Sequence, residues 1–297
     1  MKMKFDIMIT PGIFGAISAL CLGTADFMGR FSSRAIDHYN ALLGALISGF
    51  ILLTFWIIVT SGVPILNWSN IASIVINGIA TTIMTLLLYL GLARGPVSIV
   101  APIVTTHPVL VILYYILWHN LEPSSAHWIA IIITVMGTLL VARSANNFNA
   151  KRNYNNKNEL RFTICIAIGS CAAYAVLVVA GQAAAKIHGQ YNTLWVGRLI
   201  SILFLLILFG FRRQAPSIPI RWWPFLCAQG ILDAGGYIFL FAGSLGDGEA
   251  IVSVVAATFG AVTVILARLI LNEIIKITQW AGILLIFIGV VLLAAPI

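Results

Sequence analysis

One polar face interrupts an apolar segment near residue 230. Gln229, Asp233 and Tyr237 follow one another at intervals of four residues, which places their side chains on one face of a helix. An amide, a carboxylate and a phenol together can bind a cationic or amine-bearing molecule, or a proton. We interpret this face as part of a binding site. The alternative is a buried polar network that fixes helix packing.

Arg198 is the best-placed basic partner for this face. It lies about seven residues into the apolar segment 192–211, roughly 10 Å along a helix. Its guanidinium can pair with Asp233, bind a ligand carboxylate through two hydrogen bonds, or extend toward the surface. An amino acid carries both an amine and a carboxylate, so Asp233 and Arg198 together would be sufficient to bind both of its charged groups.

The segment Thr105-Thr106-His107-Pro108 brings further polar groups to the middle of another apolar run. Pro108 lacks an N–H group and therefore leaves a carbonyl near Val104 without its usual helical partner. A helix broken here would expose backbone polar groups beside Thr106 and His107. His107 can carry a proton near neutral pH. Its alternative role is a hydrogen bond between helices.

Asp26 and Arg30 are four residues apart and can form a salt bridge. We interpret this pair as a gate; a proton-binding site is the alternative. A further group of polar and aromatic residues can line a cavity or simply pack: Tyr89, Tyr174, Gln182 and Trp195.

The whole chain is too apolar for a soluble protein. Of its 297 residues, 61% are hydrophobic and 9% are charged, against about 25% charged in an ordinary soluble domain. The mean hydropathy is +1.03. This composition excludes a soluble enzyme or a nucleic-acid-binding protein. We expect no catalysis, no cofactor, no metal and no nucleic-acid partner, and we expect the net charge of +8 to meet anionic lipid.

Ten apolar runs are long enough for membrane helices, which need roughly 20 residues each. A backbone in lipid must satisfy its own hydrogen bonds, so the fold class is an all-α polytopic membrane protein. We keep the first run as a span, although its basic start resembles a signal peptide, because it recurs as part of a repeat. The predicted spans are 11–32, 39–60, 71–92, 97–118, 127–142, 162–185, 192–211, 223–244, 249–271 and 278–295.

The two halves of the chain resemble each other at an offset of 152–153 residues. The matched positions include Gly95, Trp128 and Gly137 in the first half and Gly248, Trp280 and Gly289 in the second. We predict a five-helix repeat at 11–143, a polar linker at 144–160 and a second five-helix repeat at 161–295. Five helices per unit is an odd number, so the second repeat must be inverted relative to the first, as in many secondary transporters.

The orientation follows from the basic residues. If the N-terminus is outside, 13 of the 17 Lys and Arg residues lie on the inner side. The positive-inside rule therefore predicts that both termini of this multi-pass protein are outside. We expect the membrane to be a bacterial-type inner membrane.

The second half resembles the EamA domain of the drug/metabolite transporter superfamily. The residues that carry the resemblance are Asn272-Glu273, Gln279-Trp280-Ala281-Gly282 and Gly289-Val290. The first half holds a weaker copy, with Glu122, Trp128 and Gly137 in corresponding places, and it departs by Pro102 and Pro108. In size and architecture the chain also resembles the YddG-type amino-acid exporters of that superfamily.

The resemblance implies a secondary carrier that works by alternating access on small polar metabolites, with amino-acid export as the first expectation. The alternatives are a different cargo, such as nucleosides, nucleotide sugars or lipophilic cations, and a membrane scaffold that transports nothing. The expected partners are a small-molecule substrate and the lipid bilayer. The oligomeric state stays open, since Gly282 and Gly289 can serve packing within one chain or between chains.

Overall fold

The computed structural model describes residues 11–60, 71–119, 122, 124–146, 157–243 and 255–293. This part of the chain is helical, with a short 3-10 turn at Ile220–Trp222. The helices are α1 (Pro11–Ile36), α2 (His38–Thr60), α3 (Ile71–Arg94), α4 (Val97–Val104), α5 (His107–His119), α6 (Ser125–Asn146), α7 (Lys157–His188), α8 (Gln190–Phe211), α9 (Trp223–Gly243), α10 (Phe259–Ile270) and α11 (Ile277–Leu293).

Eight helical segments in the described part are long and apolar enough to cross a membrane. One of these segments, Val97–Trp118, contains both α4 and α5. Helices α10 and α11 are apolar but shorter, and the first residues of the predicted span 249–271 lie outside the described part. The all-α multi-pass architecture is confirmed, whereas a count of ten crossings stays a prediction. The centre of the predicted linker also lies outside the described residues.

Contacts between helix ends define two opposite ends of the bundle, which we name after their connecting residues. At the Asp37 end, between α1 and α2, the Arg34 side chain donates to the Ala93 carbonyl at the end of α3, at 2.7 Å. At the Gly189 end, between α7 and α8, Tyr115 of α5 donates to Gln182 of α7 at 3.1 Å.

Helices α1 and α7 run in opposite directions between these ends. The start of α7 lies at the Asp37 end, where the Arg94 guanidinium is 5.1 Å from the ring centre of Phe162. The start of α1 lies at the Gly189 end, where Phe14 contacts Phe239 near the end of α9. Opposite directions of the first helix in each half are what an inverted repeat requires.

The close crossing of α6 and α11 depends on glycine. A Cβ atom on Gly137 would lie 2.7 Å from the carbonyl oxygen of Gly282, and a Cβ atom on Gly282 would lie 2.9 Å from the carbonyl oxygen of Gly137. Small residues allow such close approach of membrane helices. In this structure, the α11 glycine Gly282 therefore serves packing within the chain.

The outer surface of the bundle is apolar. Side chains with roughly half or more of their area exposed include Leu117, Trp118, Ile129, Ile132 and Met136. A contiguous apolar surface of this kind is costly in water but suits a hydrocarbon environment. The surface agrees with an integral membrane protein.

Candidate functional site

A cavity of about 490 Å³ lies among helices from both halves of the chain. Eight of the twelve residues predicted from the sequence to line a site or form a gate do line it: Asp26, Tyr89, His107, Tyr174, Gln182, Arg198, Asp233 and Tyr237. The other four, which are Arg30, Thr106, Trp195 and Gln229, lie outside its lining. This volume is within the range of small-molecule pockets.

Arg198 and Asp233 form an ion pair at the cavity wall. The Arg198 side chain is 4% exposed and Asp233 is 32% exposed, so the carboxylate is the partner that the cavity reaches more easily. Nη2 of Arg198 donates to Asp233. Arg198 therefore forms the predicted ion pair with Asp233 and does not extend to the surface.

The rest of the Arg198 guanidinium fills a notch between α2 and α9. A Cβ atom on Gly49 would overlap Nη1 of Arg198, and it would lie 2.9 Å from the carbonyl oxygen of Gly230. Nη1 and Nε are buried and have no hydrogen-bond partner among the described residues. Gly49 thus provides the space for the Arg198 guanidinium, and Gly230 allows the close approach of α2 and α9.

Gln229 lies behind the cavity wall, and the prediction that it faces the cavity is wrong. Its amide nitrogen donates to the Tyr89 hydroxyl, and its carbonyl oxygen accepts from Ser32 at 2.9 Å. Gln229 is fully buried because these two partners on α3 and α1 draw the amide between the helices. It positions Tyr89, which does line the cavity.

Trp195 and Thr106 lie outside the cavity lining, so Trp195 takes the packing alternative and Thr106 is not in its predicted place. The Trp195 indole donates to the Thr54 hydroxyl at 2.8 Å and stacks on Phe50, with ring centres 5.3 Å apart. The Thr106 hydroxyl donates to the Ile103 carbonyl at 2.7 Å. Trp195 thus satisfies its N–H group on α2, and Thr106 satisfies its hydroxyl on the preceding turn of its own segment.

The break predicted at Pro108 is confirmed. Helix α4 ends at Val104 and α5 begins at His107. The Val104 carbonyl lies 3.2 Å from Nδ1 of His107, so the Nδ1–H group donates and replaces the partner that Pro108 cannot provide. The His107 ring stacks on Tyr174 with ring centres 3.8 Å apart.

A second break precedes α10. Thr258 caps the start of α10, and Ala256, Ala257 and Phe259 line the cavity. The cavity therefore meets an interrupted helix from each half of the chain. Broken helices of this kind face the substrate site in many carriers.

Asp26 and Arg30 do not form the predicted salt bridge. Arg30 lies 3.4 Å from Glu273 and donates to the Gly95 carbonyl at 2.8 Å. Glu273 in turn accepts from the backbone N–H of Val97 at 3.0 Å, at the start of α4. Arg30 is drawn to this acidic group and to the carbonyl oxygens at the end of α3, whereas Asp26 points into the cavity.

Sequence reasoning missed Asn77, which lines the cavity. Its amide nitrogen donates to the Leu177 carbonyl of α7 at 2.9 Å. An amide within an apolar span carries the same signal that singled out Asp233 and Gln229. Glu273, which carries part of the family resemblance, accepts from the first N–H groups of α4 and pairs with Arg30.

No three His, Cys, Asp or Glu side chains come together as a metal site would require, within the ranges that the structure describes. The cavity contains, among its described lining residues, one basic side chain of Lys or Arg type, Arg198.

Comparison with known proteins identifies the family. The model of the EamA-like transporter family matches residues 10–143 and again residues 161–295. One solved crystal structure aligns with a TM-score of 0.65 over 95% of this chain and 95% of that chain, at 14% sequence identity, which supports the fold alone. A search among curated proteins finds no match. Because the family model covers both halves, the chain belongs to the EamA-like transporter family.

Proposed function

We propose that this membrane transporter carries amino acids and similar small amine-bearing metabolites by alternating access, with export as its direction, and that the cavity is its substrate site. The observation that carries the proposal is the ion pair of Arg198 and Asp233 at the wall of a cavity between the two halves. An amino acid offers an ammonium for Asp233 and a carboxylate for Arg198. A bound amino acid can therefore neutralise both side chains when the ion pair of Arg198 and Asp233 opens.

A polar cluster at the Asp37 end supports alternating access in which this end is closed. Arg30, Glu273 and the first N–H groups of α4 form a buried polar cluster there, which we call the Arg30–Glu273 lock. The cavity lining, in contrast, reaches Gln182 and Gln190 near the Gly189 end. The role of Arg30 as a gate residue is part of this proposal, with Glu273 in place of Asp26 as its partner.

The distribution of charge supports the proposed orientation. Arg34, Arg94 and Arg212 all lie at the Asp37 end. By the positive-inside rule this end faces the cytoplasm, which places both termini outside. The membrane proposed is a bacterial inner membrane. The narrower resemblance to the YddG-type exporters stays a prediction.

Phosphate-rich cargo fits the cavity poorly. A nucleotide sugar would require several cationic side chains, whereas Arg198 is already paired with Asp233 and the lining also holds Asp26. Two carboxylates would repel such an anion.

Counterflow of labelled amino acids in liposomes tests the proposal. Asp233→Asn and Arg198→Ala should each lower the transport rate by about tenfold or more, since each removes one member of a buried charge pair. Asp37→Asn is the matched control, because Asp37 pairs with Arg212 outside the cavity, and it should transport normally. Unchanged transport by both cavity variants would remove the site assignment.

A further inference from the structure

Asp26 is a carboxylate that the ion pair leaves uncompensated. It lines the cavity from α1, and it makes no hydrogen bond or ion pair with any residue in the described part of the chain. Asp233 lines the same cavity, and two carboxylates in one cavity repel each other when both are ionised. A carboxylate at this depth requires a proton or a cation to neutralise it.

Arg198 cannot serve both carboxylates. Its Nη2 group donates to Asp233, while Nη1 and Nε are buried in the notch beside Gly49. Two carboxylates and one guanidinium leave the described wall of the cavity with an excess of one negative charge when both acids are ionised. A bound cation restores the balance of charge.

Aromatic rings line the same cavity as the two carboxylates. Tyr174 stacks on His107 and lies 6.2 Å from Phe259, and Tyr237 lies 6.4 Å from Phe241, as distances between ring centres. All five rings belong to residues that line the cavity. Aromatic faces attract an ammonium group and repel a carboxylate, so the rings and the acids select the same ligand charge.

We propose that Asp26 is the specificity-determining residue of the cavity and selects cargo with a net positive charge, whose ammonium group lies between Asp26 and Asp233. This inference rests on the proposed function and narrows its substrate class to cationic amino acids and amines. This role of Asp26 in the substrate site is separate from closure at the Asp37 end, which involves Arg30 and Glu273.

Three amino acids with carbon chains of equal length test the inference in liposomes. They are lysine, norleucine and 2-aminoadipate, and they differ in net charge at pH 7. The wild-type protein should transport lysine with a kcat/KM about tenfold or more above that of norleucine, and 2-aminoadipate least well. Asp26→Asn should lower the ratio of kcat/KM for lysine to kcat/KM for norleucine by about tenfold. Asp26→Glu should keep the preference, and so should the control Asp37→Asn.

Each other outcome overturns the inference in a distinct way. Equal transport of the three amino acids by the wild-type protein would refute charge selection while leaving the proposed function in place. Loss of all three activities in Asp26→Asn, with normal folding by thermal unfolding, would make Asp26 a coupling group for protons instead of a selectivity residue. Failure of the wild-type protein to transport or bind any of the three would refute the proposed function together with this inference.

Discussion

At the scale of single residues, the chemistry of the cavity depends on small side chains as much as on charged ones. The sequence was sufficient to single out Asp233 and Arg198, because ionisable residues in apolar spans are rare. It was not sufficient to assign a partner to Arg30. The nearby Asp26 was the obvious candidate, whereas Glu273 comes close only through the fold. The same limit applies to Gln229, whose partners lie on two other helices.

Gly49→Ala is expected to displace Arg198. The new methyl group would overlap Nη1 of Arg198 and approach the Gly230 carbonyl, and overpacking of this kind costs about 1–3 kcal/mol. We expect a lower free energy of unfolding and a transport rate reduced by about tenfold, since the ion pair with Asp233 is disturbed. Gly210→Ala is the control, because nothing lies within 4 Å of a Cβ atom there. If the two variants behave equally in thermal unfolding and in counterflow, Gly49 is not needed to hold Arg198 in place.

At the scale of elements, the sequence pattern predicts one of the two helix breaks and misses the other. A proline in an apolar run predicted the break between α4 and α5, and the His107 hydrogen bond to Val104 shows how the freed carbonyl is satisfied. The break before α10 has no proline at its turn, Ala257-Thr258, and was not predicted. Its position is set by tertiary packing, which a local pattern does not contain.

Pro108→Ala is expected to raise the stability of the protein and to lower its transport rate. The restored N–H group can donate to Val104, which would add a net stabilisation of about 1 kcal/mol and release the His107 ring. We expect a higher midpoint of thermal unfolding and a transport rate lower by about fivefold, since a straighter helix withdraws backbone polar groups from the cavity. Full transport by a stabilised variant would show that the break is not needed.

At the scale of the whole molecule, the repeat and the membrane class follow from composition and from the offset between the halves. The closed end of the cavity does not, because closure depends on contacts between α1, the end of α3, the start of α4 and the turn before α11. These contacts join residues of both repeats. The sequence therefore predicts the two halves, and only the structure shows the Arg30–Glu273 lock.

Glu273→Gln is expected to weaken the Arg30–Glu273 lock. The amide keeps one acceptor oxygen for α4 but loses the charge that attracts Arg30. We expect a cysteine introduced at Ser98, which is fully buried here, to react with a maleimide about tenfold faster, since removing one partner of a buried ion pair costs a few kcal/mol. The four native cysteines are replaced by alanine for this measurement.

The matched control for the lock is Glu122→Gln. Glu122 occupies the corresponding turn of the first repeat and is exposed, so its charge should not affect labelling at position 98. If both variants label at the wild-type rate, the Asp37 end is held closed by other contacts.

A structure determined with bound lysine is the most direct test of the central claim that the cavity between the halves is the substrate site. We expect density for one lysine in this cavity, with an ammonium nitrogen about 3 Å from a carboxylate oxygen of Asp233 or Asp26. Lysine bound elsewhere on the protein, with the space between these two side chains empty, would contradict it.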